Sequence, residues 1–314
     1  MRKITLDDVN AARHRIAGWA IRTPLVRLNA DAGECEIYLK LENLQPIGSF
    51  KIRGAANKIL ITPADGIQSG IWTASAGNMA QAAAWCARKL GVSCAVVVPE
   101  TAPRTKINAI ERLGARTLLV SMEQWLDVFV NRRFFGVEGL FIHAFSDNDV
   151  MAGNGTIGLE ILEDLPDVDA IVAPYGGGGL SCGVACAVRS LRPDVKVFAA
   201  EVNTAAPLTA SWPSGQPTVV PYMPSFVDGI GAPRVFPEML QLAREVLDGP
   251  VSSSVSEIAD AVRLLAERNH IIAEGAGGAS VAAALAGKTG RGKVVCIVSG
   301  GCIDSETFAT LLAG

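Results

Sequence analysis

"APYGGGGLSCG" (residues 173–183) follows the apolar run "DAIVA" (169–173) and leads into a segment with helical spacing. Strand, glycine turn and helix in that order make a βα unit. Its turn lies at the carboxyl end of the strand, where ligands of α/β sheets collect. Four consecutive glycines bare their backbone N–H groups, and the helix start adds the positive end of its dipole, so the turn is a cradle suited to a phosphate. The dinucleotide fingerprint G-x-G-x-x-G fails here, because the pair Gly177/Gly179 needs a third glycine where Cys182 stands. Glu201, at the end of the next apolar run, does resemble the ribose-binding acid of that fold.

Outward from this unit the pattern repeats. Short runs rich in valine and isoleucine at 36–41, 71–74, 93–98, 116–120, 195–200 and 293–298 alternate with helical segments. Residues 78–90 are alanine-rich and followed by Gly91, a C-terminal cap. Pro103 opens a helix that Gly114 ends, and Thr5 with Asp8 gives a capping-box start to a helix over 5–20. The stretch 210–224 reads as a loop. Alternation of this kind predicts an α/β fold of mostly parallel sheets covered by helices.

Composition narrows the function. The chain has 314 residues, 49% hydrophobic and 19% charged, with a formal net charge of -3. That describes a globular chain with a large core and no basic field for nucleic acid. The polar start "MRKITLDDVN" is not a signal peptide, and no apolar run reaches a membrane-spanning length, so a cytoplasmic protein with no membrane partner is expected. Seven scattered cysteines form no CxxC pair, so they are expected to act as small buried apolar side chains.

Three further stretches carry chemistry. In "PIGSFKIRGA" (46–55), Lys51 follows a Gly-Ser turn and Phe50 at a helix start. An exposed helix lysine accounts for Lys51 taken alone; an amine that forms a Schiff base needs the desolvated frame around it. In "TASAGNMAQAAAW" (73–85), Ser75 and Asn78 are capping residues, but the same turn offers N–H groups and a hydroxyl to a carboxylate. In "VVCIVSGGCID" (294–304), Ser299 ends a buried strand, either as a turn residue or as a neutral partner for a ligand. A lysine for an aldehyde, glycines for a phosphate, a carboxylate-binding turn and a serine for a ring nitrogen fit one cofactor, pyridoxal phosphate.

The chain resembles the fold-type II pyridoxal-phosphate enzymes, and within them the threonine/serine dehydratase and serine racemase family. The likeness runs in the family's order through "RTPL" (22–25), "GSFKIRGA", "SAGN", "GNGTIGLE" (153–160), "GGGGL", "EGAGG" (274–278) and "SGGCID". It implies that Lys51 carries the cofactor with Phe50 beside it, and that Asn78 meets the ring hydroxyl. Gly176, Gly177, Gly178, Gly179 and Leu180 would hold the phosphate, and Ser299 would face the ring nitrogen. Ser75, Ala76, Gly77 and Asn78 would take the substrate carboxylate. It also implies a small domain (70–146) inserted into a larger one (1–69 and 147–314), and a homo-oligomer, dimer or tetramer.

The resemblance implies β-elimination from L-threonine, L-serine, a 3-hydroxyaspartate or a phenylserine, giving a 2-oxo acid and ammonia. A racemase or a β-replacement enzyme of the same fold is the alternative. Departures from the family's pattern lie near the site: Met79 for a frequent histidine, Ile47 for a threonine, Cys302 for an asparagine. Ala76 stands where the racemases carry a serine that serves the second face of the substrate. At the family's cation site Glu201 is followed by Ala205 and Pro207, so no divalent metal is expected. The appended regulatory domain of some biosynthetic relatives is absent, so feedback control through one is not expected.

Overall fold

The strand and helix order follows from that alternation. The computed structural model describes all of residues 1–314. In chain order the elements are α1 (Leu6–Arg15), β1 (Leu25–Arg27), β2 (Cys35–Leu41), α2 (Lys51–Ile61), β3 (Ile71–Ala74), α3 (Asn78–Leu90), β4 (Cys94–Pro99), α4 (Arg104–Arg112), β5 (Arg116–Val120), α5 (Met122–Asn131) and β6 (Leu140–Phe141), then α6 (Asn148–Asp164), β7 (Ala170–Pro174), α7 (Gly179–Leu191), β8 (Lys196–Val202), α8 (Pro207–Ser211), α9 (Pro237–Val246), β9 (Gly249–Ser253), α10 (Val255–Asn269), α11 (Gly275–Leu285), β10 (Gly292–Val298) and α12 (Ser305–Ala313).

These strands form two sheets. One has six strands in the order β1-β2-β10-β7-β8-β9, the other four in the order β5-β4-β3-β6. Every pairing is parallel except β1 with β2. Parallel strands are covered on both faces, so their residues divide between two cores. On β7 and β10, Ile171, Ala173, Val295 and Ile297 enter one cluster. Their neighbours Ala170, Val172, Val294, Cys296 and Val298 enter the other. The smaller sheet divides the same way: Ile71, Val96 and Val98 face α3 and α2, while Trp72, Val97 and Val120 face the side that holds Val128 and Phe129 of α5.

Local rules place the ends. Thr5 and Asp8 form the expected capping box, yet α1 stops at Arg15, because Ile16 caps it and Gly18 turns the chain at φ +79°. Gly91 ends α3 with φ +71°. Within 210–224, α8 takes the first two residues and the rest has neither helix nor strand. None of the seven cysteines forms a disulfide, and five of them are buried. No helix is long and apolar enough to cross a membrane.

Candidate active site

The carboxyl ends of β3, β7 and β10 supply three loops: 75–77, 175–178 and 299–304. They converge on Lys51. The Phe50 N–H donates to the Ser299 carbonyl at 3.0 Å, and Ser49 bridges to Gly300, which seats the start of α2 on the end of β10. Lys51 is the first residue of α2. Its Nζ donates to the Ala144 carbonyl at 2.7 Å and lies 5.1 Å from the centre of the Phe50 ring. Burial lowers its pKa from 10.5 to about 8, with the Glu274 charge opposing that shift. An amine so placed loses its proton near pH 8 and not above 10, so far more of it is in the neutral state a nucleophile requires.

The glycine turn has the predicted form. Gly178 sits at φ +89° and caps α7, whose first intrahelical donor beyond the turn is Cys182, bonded to the Gly178 carbonyl. The N–H groups of Gly176, Gly177, Gly178, Gly179, Leu180 and Ser181 have no partner in the protein. Larger residues do not fit: a Cβ at Gly177 would strike the Phe145 ring, and one at Gly179 would lie 2.8 Å from the Phe145 Cα. Six free donors at a helix N-terminus form a site for an anion. Beside them Asn154 donates to the Gly179 carbonyl at 3.0 Å while its own buried Oδ1 has no partner.

On the opposite wall, Ser75 Oγ accepts from the Gly77 N–H at 3.1 Å, and the half-buried run Ser75, Ala76, Gly77, Asn78 turns into α3. The capping role expected of Asn78 is not observed. Gly77 occupies the cap position, and Asn78 Nδ2 donates instead to Glu274, 2.9 and 3.1 Å from its two oxygens. Glu274 is the residue that sequence reasoning passed over, although it opens "EGAGG". Burial raises its pKa from 4.5 to about 7; the Asn78 hydrogen bond opposes the rise and the Asp228 charge adds to it. A Cβ at Gly300 would sit 2.6 Å from Glu274 Oε1, so glycine there makes room for the carboxylate. Ser299 is 2% exposed.

Two departures from the family's pattern fall in one apolar cluster. Met79 and Ile47 are both buried in the cluster that packs α2 on α3, so two polar positions of the family are here one apolar contact zone. Cys302 packs its sulfur 3.4 Å from the Ile47 carbonyl, and burial pushes its thiol up to about 12. Glu201 is no ribose ligand: its carboxylate accepts from the N–H groups of Leu208 (2.8 Å) and Thr209 (2.7 Å) and from the Thr209 hydroxyl (2.7 Å).

Comparison with known proteins shows the family. The family described as "Pyridoxal-phosphate dependent enzyme" matches residues 16–300. The L-threonine ammonia-lyase of Thermotoga maritima is 40% identical over 307 residues, covering 96% of this chain and 76% of that protein. The catabolic L-threonine dehydratase TdcB of Escherichia coli is 37% identical over 309 residues, covering 96% of this chain and 94% of the other. Among solved structures, maize serine racemase superposes with a TM-score of 0.91 at 29% identity, covering 99% of this chain and 98% of that one. A lysine of lowered pKa, a bare N–H cradle and near full-length matches make one conclusion: the chain belongs to the pyridoxal-phosphate dependent enzyme family.

Proposed function

We propose that the protein is a lyase that converts a small β-hydroxy amino acid, of the L-threonine or L-serine kind, to a 2-oxo acid and ammonia. The observation that carries the reading is the desolvated Lys51 amine, in a fold that also offers the free N–H groups of the glycine turn. The residues fit the family's cofactor: an amine for its aldehyde, donors for its phosphate, and a neutral serine near the end of β10 for its ring nitrogen. The chemistry that bound pyridoxal phosphate supplies is an electron sink for the pair left at the substrate α-carbon.

The chain's own residues divide the remaining work. Lys51 would anchor the cofactor, and its Nζ, freed once the substrate amine takes its place, would be the base for the α-proton, with the Ala144 carbonyl to accept its N–H. Gly176, Gly177, Gly178, Gly179 and Leu180 hold the phosphate, and Phe50 packs beside the ring. Asn78 orients the ring hydroxyl, and Glu274 orients Asn78. The N–H groups and hydroxyl of the Ser75–Asn78 turn take the substrate carboxylate. Ser299, being neutral, would face the ring nitrogen without favouring its protonation, which would suit prompt loss of the β-hydroxyl.

Residues 70–146 form the smaller domain in this reading, which is supported by the placement of all four strands of the smaller sheet between Ile71 and Phe141. The cytoplasm is its compartment, in keeping with seven free cysteines, and the protein works as a dimer or tetramer. Racemisation is the second reading, favoured by the likeness to maize serine racemase. A panel of β-hydroxy amino acids assayed for 2-oxo acid release tests the proposal. Release from L-threonine or L-serine supports it, and none from any member overturns it.

A further inference from the structure

We infer that His143 is a positioning residue: by closing the turn 143–146, it fixes both the Ala144 carbonyl that meets the Lys51 amine and the Phe145 ring that backs the glycine turn. The inference rests on the functional reading above, since it concerns how two parts of that site are held together.

The geometry is specific. His143 is 1% exposed, and its Nδ1 accepts from the Ser146 N–H at 2.9 Å and the Phe145 N–H at 3.3 Å. A ring nitrogen that accepts two N–H groups carries no proton, so the proton belongs on Nε2, which lies 3.3 Å from the Phe129 carbonyl and donates to it. The ring meets the edges of Phe129, Phe141, Phe145 and Phe236, with centroids 4.5 to 6.2 Å away. Burial, then the Arg132 charge, then that of Lys51 push its pKa from 6.5 down to about 3, while the Phe129 hydrogen bond opposes them. The imidazole is therefore a neutral clamp in one tautomer and does not titrate where the enzyme works.

What it clamps touches both ends of the site. Ala144, the next residue, presents its carbonyl to Lys51 Nζ at 2.7 Å. Phe145 occupies the space that a side chain at Gly177 or Gly179 would need. The far side of the turn is anchored separately: Arg132 donates to the Ser146 carbonyl (3.0 Å) and hydroxyl (3.2 Å), and that hydroxyl donates to Glu238 (2.8 Å). On the other side His143 takes the N–H groups of Phe145 and Ser146, and the Asp147 N–H donates to the Phe145 carbonyl at 3.0 Å.

The test compares His143→Leu, which removes the acceptor, with His143→Asn, whose Oδ1 can stand in for Nδ1. Cofactor affinity is measured by titrating pyridoxal phosphate into the apo form of each, alongside Tm. The Leu variant is expected to bind it roughly tenfold more weakly, the effect of an ordinary lost hydrogen bond. The Asn variant should recover most of that affinity even though its Tm stays low. Wild-type affinity in the Leu variant, or no recovery in the Asn variant, overturns the inference. Failure of the wild-type protein itself to bind pyridoxal phosphate would instead sink the functional reading. Independently of any variant, nitrogen-15 NMR of the wild-type holoenzyme should find His143 neutral with the proton on Nε2 between roughly pH 6 and 9. Titration in that range, or the Nδ1–H tautomer, contradicts the assignment.

Discussion

Lys51 and Glu274 are the two groups of the site whose pKa values burial moves toward pH 7. Lys51→Ala should abolish both activity and the visible absorbance of the bound cofactor, because the other amine near the cleft, Lys106, is held in an ion pair with Asp228; a variant that keeps the absorbance contradicts the assignment. Glu274 has a folded pKa raised from 4.5 to about 7. A carboxyl raised in this way favours the fold below its unfolded pKa, and that contribution is lost as pH rises through about 7. Above that pH its buried charge weighs against the fold by up to roughly 3 kcal/mol. Glu274→Gln should therefore raise Tm relative to wild type at pH 8, and the difference should shrink toward pH 4.5, the unfolded value; thermal melts across that window check the sign. Lys51, Asn78, Ser299 and the glycines could be proposed from the sequence because each sits in a contiguous motif. Glu274 and His143 were not, because their partners lie far away in the chain: Asn78 is 196 residues from Glu274, and the role of His143 depends on Lys51 in another element.

Elements followed the same division between local and distant causes. All the central strands were readable, since apolar runs mark strands covered on both faces. The three missed strands, β1, β6 and β9, are all sheet edges. β6 has only two residues, and β9 reads "GPVSS", where glycine and proline argue against a strand. An edge tolerates proline because one side of it needs no donor. Helix α8 gives a different lesson. Its first-turn N–H groups bind the Glu201 carboxylate, and both oxygens are engaged. With Ala205 and Pro207 following, the position lacks the several oxygen ligands a Mg²⁺ ion takes. Chelator treatment followed by Mg²⁺ should leave activity unchanged; strong activation would mean that Glu201 exchanges its hydrogen bonds for a metal.

Strand β2 of the larger sheet and helices α2 and α6 are tied together by a buried ionic network that no local pattern announced. Arg53 in α2, 1% exposed, donates to Glu42 at 2.8 Å and to Glu160 of α6 at 2.7 Å, while Lys40 of β2 reaches Glu160 at 2.7 Å. Two cations and two carboxylates balance, so removal of one leaves a buried charge. Arg53→Met should destabilise the protein by about 3–5 kcal/mol, read by denaturant unfolding, and Arg53→Lys should rescue little, because a single ammonium cannot reproduce the forked contacts. The walls of the cleft are linked by the Asn78–Glu274 contact and by the Lys106–Asp228 ion pair. The reaction the cleft performs turns on which proton donors face its interior. In the proposed reading Lys51 serves one face of the substrate; on the other, the position that the family's racemases fill with a serine is here Ala76, whose methyl group moves no proton. A positioned group of that kind is worth about 10²–10⁴-fold, so elimination should outrun racemisation by that order. The deciding measurement follows pyruvate and D-serine together, by chiral chromatography, during incubation of the holoenzyme with L-serine. Pyruvate with ammonia in equal amount, and D-serine only as a trace, is the predicted result; D-serine formed as fast as pyruvate would contradict the lyase reading and direct attention to the Ser75 hydroxyl.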